Sequence, residues 1–106
     1  MQRGDLYWAR LPKPVGRRPV LVLTRSAVLG VRSSVTVAPV TRTIRHIPSE
    51  VLLGTEHGLR TDSVANCDAI QTIPKAVLGR EPIGRLSPVE LLAVDRALRY
   101  ALSITA

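Results

Sequence analysis

The chain has no phenylalanine, one tryptophan and two tyrosines, so only 3% of its residues are aromatic. Val, Leu, Ile and Ala must therefore build the core. The scarcity argues against a single-stranded nucleic-acid binder that works by stacking bases on many rings. Cys67 is the only cysteine, which excludes an intrachain disulfide. No apolar run approaches the roughly 18 residues of a membrane span, and no charged segment leading into an apolar one opens the chain. A cytoplasmic protein that does not enter membranes is the expectation. His46, His57 and the one cysteine match no zinc-ligand spacing, so neither a metal nor another cofactor is expected. Acidic residues are also few, eight against fifteen basic ones, for a net charge of +7. Of the fifteen, only Lys13 and Lys75 are lysine. Arginine excess follows partly from genome composition. It also suits a polyanionic partner, or an acidic protein, since fixed positive charge attracts phosphate and speeds association.

What is present is a 106-residue chain, 45% hydrophobic, enough for one folded domain spanning 1–106. Its pattern is mostly β. Residues 5–10, 19–24, 34–40 and 49–53 read as strands. Residues 63–73 read as two short strands or one bent one, and 79–86 as a last strand weakened by Pro82. Residues 11–18 and 25–33 read as loops, 54–61 as a turn-rich loop, and 74–78 as one helical turn. Ser87-Pro88-Val89-Glu90 is a helix start: Ser87 caps, Pro88 suits the first helical position, and Glu90 closes a capping box. Leu91, Val94, Leu98 and Ala101 follow at helical spacing, with Leu92 and Leu102 widening the stripe. About six short, mostly antiparallel strands and one C-terminal helix fit a small, partly open β-barrel (mainly β, α+β) better than an alternating α/β sheet.

The segment Gly16-Arg17-Arg18-Pro19-Val20-Leu21-Val22-Leu23 is the most informative. Its apolar run suits a strand buried on both faces, and a guanidinium at the strand's mouth suits an anion such as phosphate. Before it stand Arg3-Gly4-Asp5-Leu6-Tyr7-Trp8 and Leu11-Pro12. After it come Val37-Ala38-Pro39-Val40-Thr41, then Gly58-Leu59, Asp62-Ser63-Val64 and Asp68, and finally the capped helix. As an ordered set, these segments resemble the MazF/PemK-type toxins of bacterial type II toxin–antitoxin systems, over nearly the whole chain.

That resemblance implies an SH3-like barrel that forms a homodimer and cleaves single-stranded RNA, usually mRNA, at short sequences without a metal. It implies inhibition by the acidic C-terminal segment of a cognate antitoxin. The family's catalytic arginine belongs to the Arg-Pro pair opening the second strand, here Arg18. Its catalytic threonine or serine follows the third strand, here Thr41. Arg17, Lys13, Arg25, Arg42 and Arg45 are candidate phosphate contacts, and Asp62 and Ser63 candidate residues of the RNA groove. Trp8 reads as core or dimer surface rather than a base platform, and Cys67 as a small buried hydrophobe.

Two departures from the family stand out. The loop before the Arg-Pro pair commonly carries Gly-Ser-Glu-Gln, whereas Val15-Gly16 here runs straight into Arg17-Arg18, leaving out the glutamate. His57 and Asp62 are the candidate substitutes for proton transfer. Many members carry Glu-Gln where this chain has Asp68-Ala69, so no relative's recognition sequence carries over. The alternatives are a barrel toxin that inhibits a protein target, as the gyrase poisons do, and a family member that binds RNA or antitoxin without cleaving.

Overall fold

A computed structural model describes residues 1–105; residue 106, the end of the expected 1–106 domain, lies outside it. Seven strands form one curled, half-barrel sheet: β1 (Asp5–Arg10), β2 (Arg17–Val22), β3 (Ser34–Thr41), β4 (Glu50–Leu53), β5 (Ser63–Asn66), β6 (Gln71–Pro74) and β7 (Gly84–Arg85). The order across the sheet is β4-β5-β3-β2-β1-β7, with β6 also on β3, and every pairing is antiparallel. Two helices complete it, the short α1 (Ser26–Leu29) and the C-terminal α2 (Pro88–Leu102). No helix among the described residues is long and apolar enough to cross a membrane.

β2 is the keel of the fold. Val20, Leu21 and Val22 are all completely buried. Because side chains alternate along a strand, Leu21 enters one cluster with Leu6, Ala38, Val40 and Val94, while Val20 and Val22 enter another with Tyr7, Val35, Val37 and Ile73. Burying such a side chain contributes about 1.5–3 kcal/mol. A strand that serves two cores therefore leaves little freedom to shift register. α2 closes the first cluster with Val94 and Ala97. Its start is the capping box read from sequence. The Glu90 N–H donates to Ser87 Oγ at 3.2 Å, and the Ser87 N–H donates to Glu90 Oε1 at 2.8 Å.

Several boundaries differ from the pattern-based expectation. The second strand begins two residues early, so Arg17 and Arg18 lie inside it, paired with Arg10 and Ala9 rather than in a loop. The last strand contracts from 79–86 to Gly84–Arg85, since Pro82 offers no N–H to a ladder. Residues 63–73 are two strands separated by a single 3-10 turn, Cys67–Ala69, which brings the total to seven. The 25–33 segment contains α1. On α2, Leu92 is exposed; it lies about 200° around the helix from Val94, on the opposite face. Leu102 is exposed as well, and the unremarked Ala97 is buried instead.

Candidate functional site

The sheet opens where β3 changes partners. β2 and β3 pair from Val22↔Val37 to Val20↔Pro39, and that ladder then stops. β2 continues along β1 to Arg17↔Arg10, while β3 continues along β5 to Thr41↔Val64. Extending the lost register would set Arg18 opposite Thr41. The two strands part there, and a cleft of about 710 Å³ lies between them. Arg18 and Thr41, which the sequence singled out together, both line it.

Four arginines, Arg17, Arg18, Arg42 and Arg60, are among the residues lining the cleft, and no Asp, Glu or His is. Among the described residues none of the four is held in an ion pair. Arg17 instead lies 4.3 Å above the Trp8 ring, a cation–π contact that fixes its direction while leaving its donors outward. Thr41 is oriented by its own turn. Its Oγ1 accepts the Thr43 N–H at 3.2 Å, which leaves the hydroxyl proton free to be donated into the cleft.

The opposite wall, Gly58–Thr61, is held by a backbone crossing. Gly58 has φ +84°, and a Cβ added there would meet Ile83 O at 2.3 Å. A Cβ on Gly84 would stand 1.9 Å from His57 O. Only glycines permit this approach. His57 fastens the same turn to α2. Its Nδ1 accepts the Gly54 N–H at 3.2 Å, and its Nε2 meets Glu90 Oε2 at 2.5 Å. The bond to the Ser87 N–H and the His57 contact hold the Glu90 carboxyl below its ordinary pKa.

The remaining candidates divide plainly. Arg42 and Ser63 line the cleft, but Ser63 is buried and its hydroxyl donates to Thr61 O at 3.1 Å, so it shapes the wall. Lys13, Arg25, Arg45 and Asp62 are exposed and do not line it. Lys13 sits in the β1–β2 loop, Arg25 precedes α1, and the Arg45 N–H donates to Glu50 Oε1. His57 is buried away from the cleft, which removes it as a proton carrier there. Trp8, expected in the core or on a dimer surface, is half-buried and walls the cleft, so it is not a core residue. Cys67 is fully buried, and burial, reinforced by Asp68, pushes its thiol up to about 11.

Arg60, Thr43 and Thr61 also line the cleft, and no local sequence signal marks them. Arg60 follows a Gly-Leu turn like many surface arginines, and only the β3–β5 pairing brings it to Arg18's side of the sheet. Among the described residues, no three of His, Cys, Asp and Glu gather where they could share a metal ion.

Residues 2–102 match the family described as the PemK-like, MazF-like toxin of type II toxin–antitoxin system. Endoribonuclease MazF3 of Mycobacterium tuberculosis is 42% identical over 87 residues, which cover 82% of this chain and 84% of the relative. Probable endoribonuclease MazF2 of the same species is 42% identical over 100 residues, covering 93% and 95%. The solved Mycobacterium tuberculosis toxin MazF-mt6 superposes with a TM-score of 0.89 at 38% identity, over 96% of this chain and 99% of that one. A mycobacterial endoribonuclease solved in complex with its cognate antitoxin superposes at 0.85 with 29% identity, over 100% and 98%.

Proposed function

The chain belongs to the PemK-like, MazF-like toxins of type II toxin–antitoxin systems, and from that membership and the cleft we propose that it is an endoribonuclease cleaving single-stranded RNA. The observation that carries this is the cleft itself: Arg18 and Thr41 face one opening that also receives three further arginines and no acid.

The chemistry proposed is the one the family resemblance implies, and the residues lining the opening suit it. The RNA's own 2′-hydroxyl attacks the adjacent phosphorus, and the bond to the leaving 5′-oxygen breaks. The products are a 2′,3′-cyclic phosphate and a 5′-hydroxyl, with no metal required. Negative charge builds on the non-bridging oxygens in the transition state. The Arg18 fork holds two of them, and stabilises that state more than the ground state because the charge is greatest there. The free Thr41 hydroxyl proton is donated to the same phosphate. With no carboxylate or imidazole at hand, the attacking hydroxyl's proton passes to solvent, and the leaving oxygen takes one from solvent. Cleavage therefore speeds up with rising pH without a plateau set by a side chain near neutrality.

An acidic antitoxin segment would compete for the same four guanidiniums. In this proposal the chain acts as one domain and as a homodimer, in the cytoplasm where mRNA is found, and its exposed Leu92 and Tyr100 add apolar surface to the helix face.

The test is incubation with a mixed RNA pool in EDTA, followed by mapping of the new 5′ ends. Arg18→Ala should slow cleavage about 100- to 1000-fold, the range for loss of one transition-state donor. Thr41→Ala should slow it less. A 2′-deoxy substitution at the scissile step should stop cleavage and leave binding intact. Full activity in Arg18→Ala would overturn the assignment. Intact RNA beside a poisoned topoisomerase would favour a protein-inhibiting toxin instead.

A further inference from the structure

Across the β1–β2 hairpin from the first cleft lies a second, of about 450 Å³. It forms where β1 takes residues 76–79 as its neighbour. Ala9 bridges Leu78, and the Gly79 N–H donates to Trp8 O at 2.8 Å. Its floor includes Val77 and Leu78, and its rim carries Arg10, Arg17 and Arg80. Trp8 and Arg17 line both clefts. The stacked pair is thus a shared ridge rather than the edge of a single site.

The spacing of the chains sets the length of any ligand that uses both. From the Thr41 end of β3, through β2 and β1, to the 76–79 segment there are four chains side by side. Two of these intervals, β2 to β1 and β1 to the 76–79 segment, keep the usual strand spacing and give about 10 Å; β3 has parted from β2 at the Thr41 end, so the whole path is longer still, more than one nucleotide of an extended strand covers. Both ends of that path are basic. Arg10 and Arg80 are exposed, and neither is in an ion pair among the described residues. Between them lie an indole edge and apolar floor suited to base faces, while guanidiniums suit phosphates.

We propose that the second cleft is a flanking subsite for the same RNA strand: nucleotides next to the scissile step cross the Trp8–Arg17 ridge, and Arg10 and Arg80 hold their phosphates. This rests on the endoribonuclease assignment above. RNA is favoured over an acidic peptide because the arginines of the rim stand beside an indole and an apolar floor, a pairing that suits phosphates and base faces together. Arg10 and Arg80 lie outside the cleft that holds Arg18 and Thr41, so their contribution is to binding and not to the chemical step.

The experiment compares the protein with its Arg10→Ala/Arg80→Ala variant on a cleavable oligonucleotide of mapped sequence, trimmed stepwise from each end. On the longest substrate the variant should raise KM on the order of tenfold, as loss of two phosphate contacts implies, with kcat unchanged. On a substrate trimmed at one particular end the two proteins should become equal. A KM difference that persists at every length, or none at any length, overturns the subsite. So does a variant that loses affinity only for an acidic peptide. If the protein cleaves no RNA, the enzyme assignment has failed. The subsite is then read from dissociation constants of 2′-O-methyl oligonucleotides, with the same length dependence required.

Discussion

Replacing Arg42 and Arg60 together by alanine removes two of the four positive charges that line the first cleft while leaving Arg18 and Thr41 in place. Each phosphate neutralised on a single strand contributes about −0.7 to the slope of log K against log salt. Four contacts give a slope of about −2.8, and two give about −1.4. Counting this cleft's contacts alone, affinity should thus fall between 50 and 200 mM salt about 50-fold for the unaltered protein and only about 7-fold for the variant. Fluorescence anisotropy with a labelled, uncleavable 2′-O-methyl oligonucleotide measures both. The difference in slope is the quantity to watch, because arginines elsewhere on the strand's path add equally to both proteins. Identical slopes would mean that Arg42 and Arg60 touch no phosphate, and the placement of the strand in this cleft would be wrong. A variant with weaker binding but an unchanged slope would point to altered shape rather than lost charge.

Other outcomes follow from the same geometry. Gly84→Ala forces a methyl against the His57 carbonyl and should destabilise the fold by about 3 kcal/mol, measured by urea unfolding; unchanged stability would disprove the close crossing. Glu90 has a lowered folded pKa, so its contribution is fully present above its unfolded value and is lost as pH falls through the folded one. The melting temperature should accordingly drop more steeply below about pH 4 in the native protein than in Glu90→Gln, and parallel pH curves would refute the linkage. Cys67, buried and raised to about 11, should resist iodoacetamide at pH 8 until urea is added; rapid native labelling would contradict its burial.

Legibility in the sequence tracked how local the determining interactions are. The Pro19–Leu23 run announced a strand buried on two sides, and Val20, Leu21 and Val22 fill two separate clusters. Ser87 and Glu90 announced a helix start through contacts three residues apart, and both hydrogen bonds of the box are present. Arg18 and Thr41 were legible as a pair only through the resemblance, because their proximity depends on a register between strands. What stayed hidden was non-local. Nothing near Arg60 reveals that Thr41↔Val64 pairing will carry its loop to the cleft. The part played by Trp8 as a wall between two openings depends on the 76–79 segment docking on β1. His57 looked chemically available because its partner, Glu90, is thirty-three residues away.

The parting of β2 from β3 has a consequence for how such a molecule diversifies. The frame of the opening is made of backbone ladders, β1–β2 on one side and β3–β5 on the other, and their separation does not depend on the 11–16 loop. That loop can lengthen, shorten or lose an acidic residue without displacing the Arg18–Thr41 frame. On the function proposed above, the reacting geometry thus sits on ladders that changes in this loop leave in place. A lineage can vary that loop while inheriting the same Arg18–Thr41 frame unchanged.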